Sequence, residues 1–309
     1  MKQRLGIRRA IRYGIPIIVV LLVAIYGFIS FTITSGITKY ERKPQEDSPA
    51  AYSLQHEDVE FVSRGGDVNL SGWYIPGEGE GPVIIFVHGI GSVRSGAEAV
   101  DLAARLVARG FGVLMFDLRG HGKSGGEFIS GGYFERQDVL GAFDFLLRQG
   151  IPSERIGFIG FSMGAGTTIL AAAEEPDICA LVADSPYSDI SDLIAQETAR
   201  KTVFPEWLAP GFLPGVNLMA KILYDIDIGV LVPEEAVKIL PYPIMIIHGT
   251  NDTRISLEHG KKIFDAAHPA STMWVVPGVD HVQSFTEHPE EYVEKVADYF
   301  DEQLAVRRK

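Results

Sequence analysis

Arg155-Ile156-Gly157-Phe158-Ile159-Gly160-Phe161-Ser162-Met163-Gly164 runs directly into Ala165–Ala173, a stretch of small and apolar residues. Three readings lie end to end in it: a short apolar run of strand length, a Gly-x-Ser-x-Gly turn, and a segment with helical periodicity. A strand that reverses into a helix over so few residues leaves no room for a side chain two positions before or after the serine. Glycine at 160 and 164 meets that demand. The serine would stand at a helix N-terminus, whose partial positive charge favours a developing oxyanion.

Outward from this turn the same rhythm repeats. Apolar runs at Val83–Val87, Gly112–Phe116, Arg155–Ile159, Ala180–Ala183, Ile244–Ile247 and Thr272–Val276 alternate with helical stretches at Ala97–Arg109, Tyr133–Gln149, Met163–Ala173, Leu257–Ala267 and Pro289–Leu304. Continuous apolar runs suit strands covered on both faces, and strand–helix alternation implies a mostly parallel sheet. Leu54–Val62 and Asp67–Tyr74 flank a Gly65-Gly66 turn and read as an opening hairpin. The sum is an α/β fold with a mostly parallel, eight-stranded sheet flanked by helices. One stretch breaks the rhythm: residues 185–242, after the sixth strand, are rich in Pro, Trp and aromatics and read as a cap or lid insertion.

Reactive groups in such a sheet collect past the carboxyl ends of the strands. After Ile244–Ile247 comes His248-Gly249-Thr250-Asn251-Asp252; after Thr272–Val276 comes Pro277-Gly278-Val279-Asp280-His281. Ser162 as nucleophile, His281 as base and Asp252 as orienting acid therefore share one edge. A serine hydroxyl needs an imidazole to take its proton, and the imidazole needs a carboxylate to fix its tautomer. Asp280 is the rival acid, but side chains adjacent on one loop rarely face each other. His88 and His248 open His-Gly turns and read as structural; His56, His121, His259, His268 and His288 read as packed or solvated. For an oxyanion, the expected donors are the Met163 N–H and, from the glycine-containing loop His88-Gly89-Ile90-Gly91-Ser92, the Ile90 N–H.

These residues resemble the α/β-hydrolase superfamily. The resemblance covers residues 55–305 and rests on His88-Gly89, Asp117-Leu118-Arg119-Gly120-His121-Gly122-Lys123-Ser124, the serine turn, His248-Gly249 with Asp252, and His281. It implies an α/β-hydrolase fold and acyl-enzyme chemistry, and treats the Asp117–Ser124 segment as a structural loop. The order of motifs, with an apolar N-terminus, is similar to membrane-anchored hydrolases allied to serine aminopeptidases and acyl-ester hydrolases. Two nucleotide-like matches fail on context. Gly120-His121-Gly122-Lys123-Ser124-Gly125 opens no helix, and Gly122-Lys123-Ser124 has Asp117 where a phosphate loop needs glycine. No His/Cys/Glu cluster has metal-ligand spacing, so neither cofactor nor metal is expected.

The N-terminus differs from the rest. The first 43 residues hold eight Lys/Arg and one acid, leaving 20 bases against 39 acids and a body charge of about −19. That excludes nucleic acid, which needs clustered Lys/Arg. From Ile11 to Ile33 the one charge is Arg12, a run longer than a cleaved signal's apolar core and without an A-x-A site. Residues 1–39 are expected as a basic segment and transmembrane anchor, 40–53 as a linker, and 54–309 as the hydrolase domain. The basic residues before the span place the N-terminus in the cytoplasm and the catalytic domain outside it. Cys179 sits alone in an apolar run and reads as a small buried hydrophobe. The function classes left are a serine hydrolase of esters, thioesters or small amides, an acyltransferase with the same triad, and a non-catalytic membrane-tethered module. Gly89 and Tyr187 are expected to touch substrate, with Ile90, Met163 and Pro186 at the pocket and Phe204, Trp207, Leu208 and Phe212 as lid contacts. An apolar acyl group is the expected substrate, with the membrane as the other partner.

Overall fold

In a computed structural model, which describes residues 2–201, 205 and 207–306, eight strands form one sheet. They are β1 (Glu57–Val62), β2 (Asn69–Ile75), β3 (Val83–Val87), β4 (Gly112–Phe116), β5 (Ile156–Phe161), β6 (Leu181–Asp184), β7 (Met245–Gly249) and β8 (Thr272–Val276). Their spatial order is β1-β2-β4-β3-β5-β6-β7-β8. The opening hairpin pairs antiparallel, β2 joins β4 antiparallel, and every later pairing is parallel. The helices are α1 (Lys2–Thr38), α2 (Ala99–Val107), α3 (Glu135–Arg148), α4 (Met163–Glu174), α5 (Ile190–Lys201), α6 (Leu213–Tyr224), α7 (Pro233–Ala236), α8 (Leu257–Ala266), α9 (Ser284–Glu287) and α10 (Pro289–Val306). Helices α5 to α7 make up the insertion between β6 and β7.

Strand periodicity builds the core in two layers. Side chains alternate across a pleated strand, so Val83, Ile85 and Val87 enter one cluster with α3 and α4, while Ile84 and Phe86 enter another with α2 and α10. Strands β3 to β7 are buried at every position but the last of β5, Phe161. β8 departs from the two-face expectation: Thr272 and Val275 are exposed and only Val276 is buried. As the edge of the sheet it has one neighbour and partial cover.

Residues 40–53, expected as a linker, are strapped to the body instead. The Arg42 guanidinium donates to the carbonyls of His121, Gly122, Ser124 and Gly126. Gln45 donates to Asp117 at 2.9 Å, and the Ser95 hydroxyl accepts from the Glu46 amide at 2.8 Å. The loop beneath, Asp117–Ser124, is a scaffold. Asp117 accepts from Arg94 N and Lys123 N, and Arg119 bridges Asp138 at 2.7 Å and Asp67 at 3.0 Å. α1 carries a 26-residue apolar segment, Tyr13–Thr38, long enough to span a membrane. Most of its large apolar side chains from Ile15 to Phe31 are exposed.

Candidate active site

Ser162 occupies the hinge between β5 and α4 with φ 56° and ψ −121°. For a residue with a side chain this is strained backbone, worth about 1–3 kcal/mol, held by close packing. A Cβ on Gly164 would stand 2.2 Å from the Val87 carbonyl oxygen, and one on Gly160 2.6 Å from the Ala165 Cα. Neither position can carry a side chain, which is the constraint read from the sequence. The Ser162 amide donates to Asp184 O at 2.8 Å, stitching the turn to the end of β6.

The three residues singled out by strand position meet. His281 Nε2 lies 2.8 Å from Ser162 Oγ, and His281 Nδ1 lies 2.7 Å from Asp252 Oδ2. With Nδ1–H donating to the carboxylate, Nε2 presents its lone pair to the hydroxyl. Asp252 Oδ1 accepts from the amides of Arg254 and Ile255 at 2.9 and 2.8 Å, so its carboxylate is aimed from behind. Burial pushes the Asp252 carboxyl up, but the hydrogen bonds from His248 and His281 outweigh it and hold it well below the usual carboxylate range. Asp280 faces away from the imidazole ring. It accepts from Thr253 N at 2.8 Å and from the His281 amide at 2.7 Å, pinning the two loops together.

The remaining histidines sort by burial. His88 Nε2 accepts from Leu118 N at 3.0 Å while its Nδ1 bonds Gly89 O at 2.8 Å, and burial lowers its pKa to about 3. His121 accepts from Gly91 N at 3.0 Å, shaping the glycine loop that holds Ile90. His248 is fully buried, bonds Ile255 O at 2.9 Å, and stands 3.3 Å from Asp252 Oδ2. His248 therefore supports the acid, a role its place inside β7 gives it; the sequence reading ended β7 two residues too early. His259 ties α8 to the insertion through Ser188 and Gln196.

A cleft opens over Ser162, and its wall is overwhelmingly apolar. Ile90 and Met163 line it as expected. The Met163 N–H, first in α4, has no intrahelical acceptor. A Cβ on Gly89 would be 3.0 Å from the Ser162 Cβ, so the loop passes directly beside the nucleophile. Tyr187 requires a correction. It is fully buried, donates to Gly131 O at 2.9 Å, and packs against Gly166 within the core, not among the cleft residues. Pro186, Trp207, Leu208 and Phe212 also lie outside the cleft lining, and Phe204 falls outside the described residues. The insertion contributes Ile190, Leu193 and Ile194 of α5 and Val216 and Ala220 of α6. The contribution that sequence reasoning missed is Thr34, Ile37 and Thr38 from α1. A threonine every fourth position on an otherwise lipid-like helix was the available signal.

Comparison with known proteins agrees with the fold. The family model described as "Serine aminopeptidase, S33" matches residues 80–226, from β3 through α6, and so ends before Asp252 and His281. YfhR of Escherichia coli strain K12 is 24% identical over 250 residues, 79% of this chain and 80% of that protein. The lysophosphatidylserine lipase ABHD12 of Danio rerio is 29% identical over 195 residues, 60% of this chain and 47% of that one. The crystal structure of the Pyrococcus furiosus esterase Pf2001 superposes with a TM-score of 0.72 at 27% identity, covering 87% of this chain and 98% of the esterase.

Proposed function

We propose that this chain, whose fold and matched segment resemble those of α/β-hydrolases, is a membrane-anchored serine hydrolase cleaving an ester, thioester or small amide with an apolar acyl group. The observation that carries the proposal is the unbroken relay of 2.8 and 2.7 Å from Ser162 through His281 to Asp252. His281 removes the Ser162 proton as Oγ attacks the acyl carbonyl, then hands it to the departing alcohol, thiol or amine. Asp252 keeps the imidazole in the productive tautomer and stabilises its cationic form. Water, activated by the same imidazole, then releases the acyl group from Ser162.

The oxyanion of each tetrahedral intermediate is assigned to the amides of Met163 and Ile90, residues that line the cleft together with Ser162. Two such donors are worth about 3–4 kcal/mol apiece in rate. The apolar wall of the cleft supports an apolar acyl group, and the esterase and lipase among the similar proteins support an ester as the first substrate to try. Five Lys/Arg before the span and three after it, the latter mixed with acids, favour a cytoplasmic N-terminus and an extracytoplasmic body. A reporter active only outside the cytoplasm, fused after Lys309, should be active; its silence would reverse that orientation.

Fluorophosphonate labelling of the full chain in detergent tests the central claim. Labelling that disappears in both Ser162→Ala and His281→Ala is the expected result. Folded wild type that takes no label would sink the hydrolase reading and move a non-catalytic tether to the front.

A further inference from the structure

The anchor does not stand clear of the insertion. Tyr26 Oη donates to Gly211 O at 3.0 Å and accepts from Gly215 N–H at 3.0 Å, and its ring stacks on Phe212 with centroids 5.6 Å apart. Eight residues on, Thr34 Oγ1 donates to Val216 O at 3.3 Å. A Cβ on Gly215 would meet Ser30 Oγ at 2.2 Å, so glycine is what lets the two helices approach this closely. Residue numbers rise together on both sides of the contact, so α1 and α6 run parallel.

Depth follows from length. The apolar part of α1 has 26 residues, Tyr13–Thr38. At ~1.5 Å per residue that is about 39 Å, whereas a hydrocarbon core of about 30 Å is crossed by ~20 residues. Every 20-residue window that fits between 13 and 38 contains residues 19–32. Tyr26 and Ser30 therefore lie in the hydrocarbon whichever window the bilayer selects, and the cap residues touching them lie at the same depth. The outer side chains of that corner match: Trp207, Leu218 and Ile222 are 79%, 55% and 65% exposed. In water such a patch is a liability; beside a membrane helix it is a lipid-facing surface. The Tyr26 hydroxyl has both an acceptor and a donor, as polar groups at membrane depth must.

The same two helices wall the cleft. Thr34, Ile37 and Thr38 of α1 and Val216 and Ala220 of α6 line it together with Ser162. We infer that the acyl subsite is loaded from the bilayer: α1 is one wall, α6 dips into the leaflet as the other, and the ligand is a long-chain acyl ester dissolved in the membrane. Its chain slides from lipid into the cleft while its ester stops at Ser162 Oγ, near the interface. The inference rests on the serine-hydrolase reading of Ser162 and adds the substrate class and its route.

The test uses the full chain reconstituted in phosphatidylcholine vesicles, with water-soluble p-nitrophenyl acetate and bilayer-dissolved p-nitrophenyl palmitate. Ile37→Trp and, on the opposite wall, Ala220→Phe should each lower the palmitate-to-acetate ratio of kcat/KM. Each methylene kept out of the cleft costs about a factor of four, so excluding two lowers the ratio about tenfold or more. In the same vesicles, lipids brominated in their acyl chains should quench tryptophan emission, and the Trp207→Phe variant should lose that component. An unchanged ratio in both wall variants, or equal quenching in wild type and Trp207→Phe, would overturn the inference while leaving labelled Ser162 a hydrolase nucleophile. Wild type that neither takes a fluorophosphonate nor turns over acetate would end the hydrolase reading, and the loading route with it.

Discussion

The strand-end loops that carry Ser162, Asp252 and His281 and the helix pair that walls the cleft above them are built on different terms. At the sheet edge, each residue type is forced by local geometry. Gly160 and Gly164 have no space for a Cβ, Ser162 is held at positive φ, and Asp252 is aimed by two amides of its own loop. Between α1 and α6 the contacts join residues some 180 positions apart through one tyrosine, one glycine and one threonine. Chemistry here is specified by short stretches of chain, and the room in which it happens by long-range apposition. The first tolerates almost no substitution; the second can be retuned.

The largest expected effects lie on the rigid side. Ser162→Ala and His281→Ala should each lower kcat on p-nitrophenyl acetate by about 10⁴-fold or more. Comparable losses from wall substitutions would abolish the distinction drawn above. Next comes the choice of acid. Asp252→Asn should cost about 10³–10⁴-fold in kcat, because the imidazole loses its tautomer. Asp280→Asn removes loop-pinning bonds to Thr253 and His281 amides and should cost about tenfold or less, the size of a hydrogen-bond loss. The reverse ranking would reassign the acid.

A smaller effect tests the support beneath. Asp184, at the end of β6, accepts from Tyr292 at 2.9 Å and Ser185 at 3.0 Å, and burial pushes its carboxyl up to about 6. Its folded pKa thus exceeds the unfolded value of about 3.9. The protonated form's contribution is complete below that unfolded value and is lost as pH rises through about 6. Wild type should therefore lose up to about 3 kcal/mol relative to Asp184→Asn between pH 4 and pH 7.5, read from urea unfolding. A constant gap between the two would mean Asp184 does not titrate there. The smallest effect sharpens the flexible side. Gly215→Ala should lower the thermal midpoint in detergent by overpacking of about 1–3 kcal/mol, and Ser30→Ala in the same chain should restore about 1 kcal/mol of it. Strict additivity would mean that the helices do not press there.

This contrast also explains what could be read in advance. The eight strands and the order Ser162, Asp252, His281 were legible because burial and turn geometry leave few residue choices. The bounds of β8 were read correctly but its burial misled, since an apolar run on an edge strand looks the same in sequence as one in the middle. Tyr187 misled for a related reason. It follows β6 within three residues, where groups usually reach the site, but Gly166 leaves a slot in the core that its ring fills. The part played by Thr34, Ile37 and Thr38 showed in sequence only as hydroxyl residues at four-residue spacing, Ser30, Thr34 and Thr38, a stripe that marks a packed side without naming what packs on it. Only its register against Gly215 and Val216 reveals it.

The hydrogen bond between Tyr26 and Gly211 has a temporal side. It spans 185 residues, and chains emerge from the ribosome at about 5–20 residues per second. If α1 is held in the bilayer as proposed, it waits there roughly ten to forty seconds before its cap partner is synthesised. During that interval the phenol must find a lipid headgroup, a water or a neighbouring carbonyl. Completion of the cleft is accordingly a late assembly step, taken only after the body has been made, so an unfinished chain has a nucleophile turn before it has a place to hold an acyl chain.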